Sequence, residues 1–499
     1  MRKNYFSKKV LQACVLFFMI ITTNVFAQVG IGTITPHASS VLDVSSTTQG
    51  MLTPRMTTVQ RAAIASPADG LMVYDTDLKS FYHYNSTITS WNVINSGTTG
   101  RLKFKRIKST DVLATVLAAE KAAGSNTKYV LDVNTYYEIN GTIIFDLPID
   151  LNNAYISGQD ANEDKLVRTS GNLFDGATGG SIRNVTIQVT GGGKVFNLSG
   201  AATENIIIRD TVIAGSSNVG SITGFGLVFV SIVQYVGNTT GIVYDSISKL
   251  LLSNAAWFSN NGGTYEKLQG TFGLVQKQGG FSEVSGAAVG FDVSSNPTIT
   301  GDAVMETVVF TGTVTTGKYV NGYTVGSYTG YNFNNNWNVR CAGIPNETDA
   351  TAVGEFSVDY AVGSGASTGF NTSNPSNIVK VAGTSASSNL FRFSTGSPAT
   401  NNKLVYLGKK KRFFQVTGSI SFQVTNPGTY IIYIAKNGAV VTQYKIYGRG
   451  TVASDIIVLP LNALVELNMN DSIEVYAQRY TSTMITDNMI TPNMTLVLK

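Results

Sequence analysis

The residues of this chain best suited to chemistry are carboxylates. Asp160, Glu163 and Asp164 form the densest acidic loop of the central region, and Asp210 follows Arg209 beside an apolar run. Glycoside hydrolysis needs two carboxyl groups held roughly 5 to 9.5 Å apart, and lyase chemistry needs a base beside a cation that neutralises the substrate carboxylate. These four residues are the candidate catalytic groups, on the expectation that stacked segments bring distant positions together. Each equally suits the capping of a solvated turn, and no pair recurs at a spacing that forces proximity.

Several chemistries are pruned by what the sequence lacks. His37 and His83 are its only histidines, and both lie near the N-terminus, so no histidine-dependent triad or multi-histidine metal site is expected further along. Cys341 has no histidine near it in sequence, which argues against a Cys–His nucleophile. There is no glycine-rich phosphate loop with its lysine, and the glycines at 191–193 read as turn residues. The paired aspartates and histidine of polygalacturonase-type strings are missing too. Neither a metal nor a cofactor is expected.

Binding residues are more numerous than catalytic ones. Trp257, Tyr265, Tyr331 and Trp337, with Tyr323 and Tyr328 nearby, suit stacking on sugar faces, and the asparagine-rich run 332–338 offers hydrogen bonds. The same aromatics suit a β-sheet core. A basic run at 409–412 would meet an anionic glycan or simply form a solvated turn.

The elements that must position these residues follow from composition. Of 499 residues, 13% are charged and 43% hydrophobic, and 50 are glycine. Low charge with abundant glycine, serine, threonine and asparagine favours β-structure with tight turns. Residues 1–27 have the layout of a secretory signal: Arg2, Lys3, Lys8 and Lys9, an apolar stretch at 10–21, and Val25, Phe26 and Ala27 before a cut at Gln28. Removing it lowers the net charge from +5 to about +1 and leaves Cys341 as the lone cysteine. A near-neutral chain gives no bulk-charge support for nucleic-acid binding. No transmembrane span is expected after cleavage.

Three regions follow. Residues 28–100 carry VGIGT at 29–33, VLDV at 41–44, GMLTPRMTTVQRAAI at 50–64 and PADGLMVYDTD at 67–77. In this order and spacing they resemble an N-terminal attachment module of cell-surface and phage-fibre-like proteins. A helix is expected over 57–65, with Thr57 or Thr58 as N-cap and Pro67 beyond it, then a hairpin of 70–74 with 80–84. Arg55 and Arg61 are expected to pair with Asp69, Asp75 or Asp77.

Residues 101–345 carry an imperfect repeat. Stretches beginning at Asn172 and Lys194 lie 22 residues apart, and the next, at Gly241, follows after 47. A strand-turn-strand unit of that length signals a solenoid. The expected fold is a right-handed parallel β-helix, with Val185, Ile187, Ile206, Ile208, Leu250 and Leu252 stacked inside. A helical segment at 111–123 resembles the entry cap of phage-tailspike-like β-helices.

Residues 368–377 read as a linker. The strands within 355–499 read as an antiparallel jelly roll, and NPGTYIIYIAKNG at 426–438 with LNMNDSIEVYA at 467–477 resemble heads of the tumour necrosis factor and complement type. That resemblance implies a homotrimer, with Phe413, Phe414, Tyr430 or Tyr433 on its axis. The architecture is thus all-β: a small N-terminal α+β module, a β-helix shaft and a jelly-roll head. It implies an adhesin or receptor-binding fibre, at a cell surface or on a virion, whose partners are itself and a surface glycan or cell-envelope receptor. The alternatives are a polysaccharide lyase or hydrolase on the shaft, and a purely structural fibre.

Overall fold

The computed structural model describes residues 6–20, 28–94, 103–370, 377–482 and 487–499. Two compact units divide at Arg101 and Leu102. The leading apolar segment forms a helix, Phe6–Ile20, and no described helix is long and apolar enough to cross a membrane. Val25, Phe26 and Ala27 lie outside the described residues.

In the N-terminal unit the helix is Thr58–Ala62, shorter than its pattern suggests. Thr57 caps it and Gln60 returns a bond to the Thr57 backbone, so two orphan amides are satisfied reciprocally. The expected hairpin forms from Met72–Asp75 and Ser80–Asn85. Of the expected charge pairs, Arg61 meets Asp75 at 2.9 Å in a buried contact, with the Tyr82 ring 3.9 Å beneath its guanidinium. Arg55 instead lies over the Tyr74 ring.

The second unit opens with a parallel β-solenoid of about eight turns. Its coils build two long parallel sheets of thirteen and nine strands. Phe174, Phe196, Gly220 and Ile242 occupy one register position in successive coils, a rise of 22 to 24 residues per turn. On the larger sheet Ile206, Val228, Leu250 and Val275 form one inward ladder. Ile208, Val230 and Leu252 form the next. All seven are buried, and each contributes on the order of 1.5–3 kcal/mol by leaving water. Since no single coil encloses these side chains, the stack is the folding unit.

The long strands Asn205–Ala214, Leu227–Val236 and Lys249–Trp257 each turn a corner midway. Asp210, Ile232 and Asn254 occupy the corner with φ of 51°, 55° and 50°, and Asn184, Gly279 and Thr307 extend the column. One left-handed residue in an extended strand redirects it and shifts its alternation by one. Ile206 and Ile208 point inward before the corner, and Thr211 and Ile213 after it. Elsewhere an internal polar stack joins coils: Asn238 Oδ1 accepts from the Ser216 amide and Asn261 Oδ1 from the Asn238 amide, at 3.0 and 2.8 Å. Both asparagines are buried and also bond carbonyls of neighbouring strands.

At the solenoid start, 111–123 forms two short helices, Leu113–Val116 and Ala118–Ala123, rather than one. Leu117 between them is buried in the core and Glu120 meets Lys105. The cap thereby covers strand ends that would otherwise be open.

Two antiparallel sheets of six and seven strands complete the chain around a second core. Gly354–Asp359 pairs with the final strand, Asp487–Leu498. The expected linker is corrected at its start: residues 368–370 belong to Ala366–Phe370, which also pairs with the final strand, while 371–376 lie outside the described residues. After the strand Gly428–Lys436 the chain forms a two-residue strand at Ala439–Val440, a 3-10 turn at Thr442–Tyr444 and a strand at Ile446–Gly450. Phe414, Tyr430 and Tyr433 are buried within this domain, whereas Phe413 is 60% exposed.

Candidate functional site

Asp160, Asp164 and Asp210 each hold local structure. Asp164 is buried and accepts the amides of Gly141 and Gln159 at 2.8 and 2.7 Å and that of Asp160 at 3.1 Å, so it shapes its own loop. Asp160 caps the Asn162 amide in the same turn, and Glu163 is exposed. Asp210 is a corner residue of the solenoid, paired with Arg209 at 2.9 Å.

The aromatic candidates are corrected more sharply. Trp257, Tyr265 and Trp337 have no exposed surface and lie in the solenoid core, closed to any sugar face. Trp257 stacks on Tyr265 at 4.5 Å between ring centres, and Trp337 packs against Phe333 and Phe291. Tyr331 is half-buried and stacks on Phe391 at 4.0 Å. The asparagine run is largely committed: Asn332 bonds Glu347, Asn335 accepts from Tyr328, and Asn336 reaches the Ile299 carbonyl.

A concave site lies where the last coils meet the antiparallel domain. It is a cleft of about 440 Å³ lined by Val304, Glu306, Asn338, Arg340, Thr348, Asp349, Ala350 and Lys410. Its floor is the outer face of two neighbouring strands, Ala303–Thr311 and Trp337–Ala342. There Val304 is in register with Asn338 and Glu306 with Arg340. Met305 and Val339 point into the core, so strict alternation turns Glu306 and Arg340 outward. The opposite wall is the short turn Asp349–Thr351 with the chain at Lys410.

That wall is held rigidly. Arg392, 2% exposed, reaches Asp349 at 2.5 Å and donates to the carbonyls of Trp337 and Glu347. The second Asp349 oxygen accepts the Lys410 amide at 2.8 Å, and Arg412 donates to the Asp349 carbonyl at 2.6 Å. Behind it, Glu347 takes the amides of Asn332 and Phe333, yet burial still pushes its carboxyl above the usual range. Asp349 is thereby spent on structure. Glu306, Arg340 and the Lys410 ammonium enter no ion pair among the described residues, so one carboxylate and two cations face the cleft. Such a set is chemically suited to hydroxyls and anionic groups.

The basic run splits by role. Lys409 pairs with Asp302 and Lys411 with Glu466, while Arg412 covers the Phe414 ring. Lys410 alone lines the cleft. Glu306 and Arg340 escaped sequence reasoning because they lie 34 positions apart. Their signal was available as two charges at outward positions of consecutive repeats.

Residues 30–110 match the family model described as a phage tail-like trimerisation region. Among solved structures the chain is similar to the enzymatically active domain of tailspike protein 4 of bacteriophage CBA120, at 12% identity, 89% of this chain, 77% of that one and a TM-score of 0.19. It is also similar to the tailspike protein of Acinetobacter baumannii phage AM24, at 10% identity, 86% of this chain, 91% of that one and a TM-score of 0.25. No curated protein matches.

Proposed function

We propose that this chain is a trimeric, fibre-like receptor-binding protein that recognises a surface glycan, acting on a virion or at a cell exterior. The observation that carries the reading is the trimerisation-region match at 30–110, which runs into the first solenoid strand, Phe104–Lys108. The N-terminal unit supports it physically. Ile34, Val41, Met51, Leu52 and Val59 are 99%, 78%, 63%, 80% and 76% exposed, an apolar display that two further copies of the chain would cover. Three copies then present three clefts, and weak single contacts multiply into avidity. In this reading the antiparallel domain is a jelly-roll head whose junction with the shaft forms the glycan cleft, with Arg340 and Lys410 as its cationic contacts.

Glycan-array binding by the full-length protein tests the ligand class, with R340A expected to reduce binding at least tenfold. Oligosaccharide release that disappears in E306Q would transfer the cleft to an enzyme. Neither binding nor release would leave a purely structural fibre.

A further inference from the structure

The solenoid core contains a cation that the cleft does not use. Lys277 belongs to the inward ladder of Val230 and Leu252 on one side and Met305 on the other. It is 2% exposed, and its Nζ lies 2.7 Å from Oε2 of Glu266, which is 1% exposed. Glu266 stands in the ladder of the opposite sheet, between Ile242 and Phe291. The two side chains therefore meet across the interior of one coil, and aromatic rings surround them. Tyr265 lies 5.2 Å from Lys277 Nζ, and Tyr235 and Trp257 pack on Tyr265.

A buried ion pair carries a desolvation penalty that its mutual attraction only partly returns, and a single proton transfer along the contact yields an uncharged amine and acid. A contact of 2.7 Å to a carboxylate oxygen places Nζ about 3–3.5 Å from the carboxyl carbon, the distance of a near-attack conformer. The Tyr265 and Tyr244 phenols, pushed far up by burial and further by the charges of Glu266 and Tyr235, keep their protons beside the carboxyl group.

We propose that Lys277 and Glu266 condense into an intramolecular amide that ties the two sheets across the core of the shaft. The neutral Lys277 Nζ attacks Glu266 Cδ and a tetrahedral carbon forms. A carboxyl oxygen leaves as water, taking one proton from the amine and one from the acid. One N–C bond forms and one C–O bond breaks, no electron donor or acceptor is needed, and water is the only by-product. Tyr265, whose buried hydroxyl has no hydrogen-bond partner among the described residues, is a positioning residue that donates to the developing oxyanion. The product closes a short covalent loop inside a stack otherwise held by packing and hydrogen bonds.

Peptide mapping of the folded full-length protein decides the matter. After denaturation and trypsin, the amide predicts that cleavage at Lys277 is lost. It also predicts a branched species joining residues 250–267 to residues 268–318, lighter than the sum of those two peptides by one water. K277R should release the Glu266 peptide as a linear species, and Y265F should slow formation of the branched one in a time course after refolding. Full recovery of linear peptides ending at Lys277 from the wild-type folded protein would overturn the proposal, whatever the variants do.

Discussion

At the scale of single residues, the corner column of the solenoid makes the sharpest demands. Ile232 is β-branched, 48% exposed and held at φ 55°, a conformation that costs such a residue about 1–2 kcal/mol. Its column neighbours Asp210 and Asn254 are residue types that tolerate it. I232N is therefore expected to raise the unfolding midpoint by the equivalent of about 1 kcal/mol in a thermal melt; an unchanged or lowered midpoint would show that the Ile232 side chain packs more than its exposure suggests. In the internal polar stack, N238A leaves the Ser216 amide buried and unpaired, a loss of about 1–3 kcal/mol measurable by denaturant titration. Asp210, a catalytic candidate by sequence, belongs with these structural residues: its left-handed backbone and its bond to Arg209 account for it.

At the scale of elements, the junction between the last coil and the antiparallel domain turns on Arg392. R392M strands Asp349 without its cation in a buried site, and a destabilisation of about 3–5 kcal/mol is expected, with loss of the proposed glycan binding because Asp349 and Lys410 form one wall of the cleft. The antiparallel domain also carries a pH dependence with a definite sign. Burial alone would raise the Asp471 carboxyl, but Lys436, Asn437 and the Asn468 amide together lower it to about 2. Between its ordinary value and about 2 the unfolded chain binds the extra proton, so this contribution is fully present above pH 4 and is lost as pH falls through 2. Acid titration of unfolding should show that decline, and D471N should flatten it.

At the scale of the whole molecule, the prediction is assembly. One chain has a mass of 53.2 kDa, and light scattering on the full-length protein is expected to give three times the mass of the chain as it is isolated. Serine at Ile34 and Leu52 should shift the population toward monomer. A monomeric wild type would remove the avidity argument while leaving the cleft open to test. The proposed Lys277–Glu266 amide acts at this scale too, since it would tie the two sheets of the solenoid to each other covalently.

Much of this was legible in the chain before folding. Low charge, abundant turn residues and a recurrence near 22 residues specified an all-β solenoid, and the pairs at 206 and 208 and at 250 and 252 correctly named its inner face. The alternation of a strand marks a face, and that much is local information. What the sequence could not specify is how the phase of alternation changes at a corner. Leu250 and Leu252 point inward at even positions, the left-handed Asn254 resets the phase, and Ala255 and Trp257 point inward at odd ones. That is why Trp257 lies in the core rather than on a sugar-binding face. Asn and Asp at a corner look like ordinary strand or turn residues until the coils stack. Likewise, Glu306 with Arg340 and Lys277 with Glu266 become neighbours only through coil stacking and closure, because contacts across a solenoid depend on register and on which residues enclose the core.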